Sequence, residues 1–484
     1  MILSISVKDI GGLGKRVSGV QRGGNFYIME DTKIQTNHEQ EVKAATHPEI
    51  EGSLTRRQFI KTAGLIAGAA LTEGALVTTT PKIAAPAIIK GTKLHLLQWS
   101  NFVPPADDEI RRQAAEWGKQ MGVEVTIETI NANDLQARIA SAIESGTGPD
   151  IVQMLHNWPH LYASGCVDVD DIAEKVEKMY GGFYKQIRDV SFVEGRYKAV
   201  PYHIVGAAMT YREDWFKEVG AEKFPDNWDE YRKVGKMLKD KGHPFGQTFG
   251  HTFGDAPAFA YPYLWSFGGK EVEEDGKTVA LDSKETLQAV EFIVALWKDV
   301  FDETGLSWDD TSNNRAFLSE QISCTLNGAS IYFVAKKQYP ELAKRINHAV
   351  MPAGPAGRFH YHVTFEHAIM KYSNNVEAAK EFILFLMDKP NFYKWFEIAE
   401  GYSVAPGPDH ENHPLWQKDP RMLAFKDIGK LGKAIGYPAP PTRSASEALS
   451  KYIIVDVFAR AIQGESPKKA IEWGASELRN VYKS

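Results

Sequence analysis

Apolar positions past residue 90 fall into two alternating rhythms. The run KLHLLQW, Lys93 to Trp99, predicts a strand. Ile110, Ala114, Trp117 and Met121 then recur at helical spacing, with Asp107 to Glu109 suited to the positive end of that helix. Val123, Val125 and Ile127 alternate, which predicts a second strand with one strongly apolar face. Leu135, Ile139, Ala142 and Ile143 line one side of a second helix, with Asn133 placed to cap it and Gly146 to end it. The stretch GPDIVQML turns at Gly148-Pro149 and enters a third strand at Ile151. This strand and helix order predicts a parallel sheet with helices on its faces.

Past Asp168 the rhythm changes. FVEGRYKAVPYHI reads as a hairpin turning at Glu194-Gly195, and GAAMTYREDWFKEVG as a strand running into a helix. Trp228, Tyr231, Val234 and Leu238 space a helix closed by Gly242. Further helices are expected over 283–299 and 376–388, the second halted by Pro390. No repeat of fixed period is present.

Upstream, the first fifty or so residues read as a polar prefix with neither helical nor strand period. The segment TRRQFIKTAGLIAGAALTEGALV follows. Its apolar run is shorter than the ~20 residues a spanning helix needs, and Thr72 and Glu73 interrupt it. Gly64, Gly68, Ala69 and Ala70 give a core helix little to pack. An export signal fits better: Arg56, Arg57 and Lys61 form a basic start, and Ala85-Pro86-Ala87 offers small residues to a peptidase. The string from Thr55 to Lys61 resembles a twin-arginine signal, which implies the twin-arginine translocase as a partner during export. Residues 1–88 are expected to be removed, with translation starting later, at Met29 for example.

The 484 residues are enough for at least two domains. A formal net charge of −6 without long charged runs leaves no footprint for nucleic acid or an anionic membrane surface. Cys166 and Cys324 define no disulfide framework; two buried thiols and one bridge are both open. Phosphate-loop, dinucleotide, zinc-protease and serine-hydrolase motifs are missing from the sequence. His360, His362 and His367 form the one histidine cluster, and Asp309 and Asp310 read most simply as solvated loop acids.

Ligands of parallel sheets sit at the carboxyl ends of the strands. Those ends carry WSNF, with Trp99 and Asn101, and HNWP, with Asn157 and Trp158. Each pairs a flat aromatic face with an amide, which suits a ligand having both C–H faces and hydroxyls.

Several segments then match one family in order: GPDIVQM from Gly148, VPYHIVGAAMTYREDWFKEVG from Val200, WDEY at Trp228, PYLWSFGG at Pro262, FLSEQISCTLNGAS at Phe317, VMPAGPAG at Val350, and NNVEAAKEFILFLMD. From about Lys90 to the C-terminus the chain resembles the extracellular solute-binding proteins of ABC importers, in the sugar-binding branch with the maltose- and glycerol-phosphate-binding proteins. Arg212 stands where the family usually has asparagine or aspartate, and CTLNGAS lacks a common alanine-methionine pair.

The resemblance implies a periplasmic-binding-protein-like (type II) two-lobed α/β fold, with three crossings near residues 203, 327 and 364. Lobe I would be 89–203 plus 328–363, and lobe II 204–327 plus 364–484. It implies a periplasmic monomer that captures a sugar or polyol by hinge closure and delivers it to ABC permease subunits, with no catalytic residues, metal or cofactor. Trp99, Asn101, Asn157 and Trp158 would contact ligand from the first lobe, and Trp265, Phe365 and Glu366 from the second. Tyr202 and Asn327 fall at the crossings, where they would touch ligand or hold the hinge, and Arg443 in a proline-rich loop is a further candidate ligand contact. The alternatives are a secreted glycoside hydrolase or lyase, and a binder of a polyamine or metal, which predicts an acidic or histidine-rich cleft.

Overall fold

The computed structural model describes residues 90–483, together with the backbone of two short strands nearer the N-terminus. The chain divides into two units, Met1–Lys82 and Ile83–Ser484. In the first, Ser18–Arg22 and Asn25–Met29 pair antiparallel. That departs from the expectation of a prefix without strands; Val20, Phe26, Tyr27 and Ile28 are strand-favouring residues. Arg56, Arg57 and the rest of the expected export signal up to Ala87 lie outside the described residues.

The second unit carries two main sheets and a separate two-stranded hairpin. In chain order its main strands are β1 (Lys93–Trp99), β2 (Glu124–Ile130), β3 (Ile151–Leu155), β4 (Val200–Val205), β5 (Ala208–Arg212), β6 (Cys324–Asn327), β7 (Ile346–Ala349), β8 (Val363–Ile369) and β9 (Ser403–Val404). The larger sheet has the order β9-β4-β8-β3-β1-β2. As the rhythm predicted, β1 pairs parallel with both β2 and β3. The other half is antiparallel, because β8 returns from far along the chain and runs against β3 and β4. The smaller sheet, β6-β5-β7, is antiparallel throughout.

Helix α1 (Pro104–Met121) buries Ile110, Ala114 and Trp117, and α2 (Ala132–Ser145) buries Leu135, Ile139 and Ala142. The cap of α2 is Asn131, whose side chain accepts from the Asn133 N–H, so the expected cap residue is the donor instead. Gly146 ends α2 in the left-handed region (φ 68°). The hairpin at Glu194-Gly195 is present, with φ positive at both turn residues, as a two-residue hairpin turn of this hand requires. Pro390 does more than stop a helix: it lies in the first turn of the next one, Lys389–Ile398, where its missing N–H costs nothing.

The strands redraw the expected lobe boundaries. The chain leaves the larger sheet between β4 and β5 and returns between β7 and β8. Its third passage falls near residue 434, where Ala434 packs in one hydrophobic core and Ile435 in the other. β7 therefore belongs with the second lobe, while β8 and β9 belong with the first. All seven residues of β8 are buried because it is an internal strand, paired on both edges. Such pairing is set by distant segments, which local periodicity does not carry.

Candidate ligand site between the lobes

A cleft lies where the end of the larger sheet faces the second lobe. Trp99 ends β1, Val205 ends β4, Val363 begins the antiparallel β8, and Tyr402 immediately precedes β9, so four strands bring these side chains to one rim. Opposite stand Ala207, then Phe253, Gly254, Asp255 and Ala258 around the start of helix α3 (Asp255–Phe267), with Asp310, Asn327 and Gly328. The empty space, mouth included, is about 410 Å³.

The walls are rings. Trp99 packs on Phe365 at 4.8 Å between centroids, meets Phe102 edge-on at 5.6 Å, and stacks towards Tyr402 at 6.5 Å. Phe253 comes from the second lobe and meets Trp99 at 5.7 Å and Phe102 at 6.4 Å. The two lobes thus touch through aromatic faces, which offer flat apolar contact without unpaired polar atoms.

The carboxyls and the side-chain amide stand on one wall only. Asp310 accepts from the backbone N–H groups of Phe253, Gly254 and Asp255, which holds the turn into α3. It is 7% exposed, and burial pushes its carboxyl up to about 6 against the pull of those donors. Asp310 is therefore a buried structural acid, contrary to its reading as a solvated loop residue. Asp255 is half-buried, accepts from the Asn313 amide at 2.6 Å, and is held well above the carboxylate range by burial and then by the neighbouring charge of Asp310. Asn327 is tied to Asn314 and Ser330.

Of the residues singled out in the sequence, Trp99, Asn327 and Phe365 line this cleft. The others have different commitments. The Asn101 side chain accepts from the Val103 N–H and closes a turn ahead of α1. Asn157 is fully buried and donates to the carbonyl of Ile435, and Trp158 packs edge-on to His156. Tyr202 is a core residue stacked on His367 at 4.3 Å. Trp265 is buried near Tyr437 in the second core. Glu366 belongs to β8 in the first lobe, not the second, and is fully buried, and burial holds its carboxyl well above the usual range. Arg443 is exposed, and its guanidinium donates to the Leu161 carbonyl at 2.7 Å. Arg212, the departure from the family pattern, is buried under ion pairs to Asp214 and Glu320 and covers the Trp215 ring.

Sequence reasoning missed Phe253, Asp255 and Tyr402 as cleft residues. The one local signal was the acid after Gly254 at the start of an apolar helix, which marks a helix start and says nothing of what faces it. Among the described residues the histidines form no metal-holding group. His362 accepts from the Ala207 N–H and faces the Ile428 carbonyl, and burial pushes its imidazole down to about 3.

Two sheet-centred lobes joined by three passages, with an aromatic cleft between them, define a ligand-clasping protein. Residues 112–424 match the family model described as bacterial extracellular solute-binding protein, and the chain belongs to that family. A probable ABC transporter-binding protein of Deinococcus radiodurans is 21% identical over 75% of this chain and 86% of its own length. A maltotriose-binding protein of Pyrococcus abyssi is 22% identical over 66% of this chain and 69% of its own. Among solved structures, the maltose-bound MalE3 of T. maritima superposes with a TM-score of 0.70 at 22% identity, covering 81% of this chain and all of that one. That match establishes the two-lobed fold.

Proposed function

We propose that the protein is the solute-binding component of an ABC importer and captures a carbohydrate or related polyol in the cleft of Trp99. One observation carries this reading: a chain of the extracellular solute-binding family places stacked rings and hydrogen-bonding side chains together between its lobes. A sugar lays its C–H faces on Trp99, Phe253 and Tyr402, and its hydroxyls reach Asp255 and Asn327. Ligand held by one lobe has groups that only the other lobe can satisfy, so it binds the closed arrangement more tightly and shifts the population towards it. The closed face is then what the permease reads. Export by the twin-arginine route to the periplasm, action as a monomer, and release of the ligand unaltered complete the proposal.

The hydrolase alternative requires two carboxyls flanking the bond to be cut. Here Asp255 and Asp310 share one wall, and Asp310 is engaged by three backbone donors. A thermal-shift panel of sugars and polyols tests the reading, because a ligand bound by the native state alone raises stability with its excess over Kd. Chromatography of recovered hits should return each one unchanged. No shift with any carbohydrate, or release of cleavage products, would overturn it.

A further inference from the structure

The cleft is asymmetric in charge. No lysine, arginine or histidine lines it, whereas two carboxyls do. Their partners are all neutral: backbone N–H groups and the Thr252 hydroxyl for Asp310, and the Asn313 amide for Asp255. The positive end of α3 is already engaged by Asp310, which occupies the N–H groups of Phe253, Gly254 and Asp255. Asp255 is left opening on the cleft with one amide donor and an acid beside it. With no cation beside it, burial and the neighbouring Asp310 keep the Asp255 carboxyl protonated, and a cation placed against it would restore the carboxylate.

The apolar walls point the same way. Trp99, Phe102, Phe253, Phe365 and Tyr402 surround the same space, and the faces of aromatic rings attract organic cations. They give nothing to a metal ion, and no metal-holding group of His, Cys, Asp or Glu exists among the described residues. An anionic solute, such as a sugar phosphate or uronate, would enter against two carboxyls with no cation to receive it.

We infer that the cleft selects a carbohydrate bearing an amine, whose ammonium group lies against Asp255 while its ring faces stack among Trp99 and its neighbours. The inference rests on the carbohydrate reading above and adds the charge of the ligand. A neutral sugar satisfies the rings and meets Asp255 as a neutral acid; an amino sugar satisfies the rings and pairs its ammonium with the Asp255 carboxylate.

The test uses matched compounds differing by one group: glucosamine against glucose, and the glucosamine disaccharide against cellobiose. Binding is read by tryptophan fluorescence and calorimetry on the wild type and on Asp255→Asn, a near-isosteric change whose fold is checked by its melting curve. The expected result is at least tenfold tighter binding of the amine in each pair, with the ratio falling below threefold in Asp255→Asn. Equal or tighter binding of the hydroxyl compound, or an amine preference that survives Asp255→Asn, overturns the inference and leaves the carbohydrate reading standing. Binding of spermidine with every sugar silent overturns both.

Discussion

Helix α4 (Arg443–Ser450) of the second lobe lies against the first lobe through two side-chain bonds. Gln136 of α2 donates to the Ser450 hydroxyl at 2.8 Å, and Arg443 donates to the Leu161 carbonyl at 2.7 Å. We predict that the double variant Gln136→Ala, Arg443→Ala opens the ligand-free protein. Each bond contributes about 0.5–1.5 kcal/mol net, and because the Arg443 bond is exposed the pair is worth roughly 1–2 kcal/mol. A loss of about 1.4 kcal/mol moves a closed-to-open ratio tenfold, for example from about 10:1 to about 1:1. Small-angle scattering of the ligand-free protein reads the expansion directly. Affinity follows the same arithmetic: the competent fraction falls from about 0.9 to about 0.5, so Kd rises only about twofold, and tenfold is the ceiling whatever the starting ratio. An Arg443 that touched ligand would cost more. Unchanged scattering in a folded double variant, or a loss of affinity well beyond tenfold, would refute the assignment of these residues to a clasp.

Glu366→Gln should stabilise the protein progressively as pH rises. The folded carboxyl lies above its unfolded value of about 4.3, so its favourable contribution is present at low pH and is lost as pH rises through that window, by about 1.4 kcal/mol per unit. Urea denaturation of both proteins at pH 5 and pH 8 measures it, and a stability difference independent of pH would contradict the burial argument. Cys166 and Cys324 are buried and free, and burial pushes the Cys166 thiol up to about 12 and Cys324 higher still. Neither should react with iodoacetamide in the native protein at pH 8, and both should react in guanidinium chloride; labelling of the native form would show that one of them opens to solvent.

Much of the first lobe was legible because its signals are local. The helical spacing of Ile110, Ala114 and Trp117 depends on nothing outside one helix, and the parallel pairing of β1 with β2 and β3 follows from the helices between them. Trp99 was found for a related reason: a residue at the carboxyl end of a parallel strand is placed by the strand itself. The acids were misread because their surroundings are distant in sequence. Asp310 sits in a loop like any other until the turn at Phe253 to Asp255 folds onto it, 55 residues away or more.

The sequence by itself determined the alternation of strand and helix, the place of Trp99 at the carboxyl end of a parallel strand, and the family to which the chain belongs, since each is written in spacing or in ordered motifs. Tertiary structure alone decided that β8 threads the first lobe, that Glu366 and Tyr202 are interior, and that Asp255 faces a ring of aromatics with no cation near it. The physical reason is range. Helical and strand periods are fixed by backbone geometry over a few residues, whereas burial and the field at a carboxyl are sums over neighbours that the chain brings together only on folding.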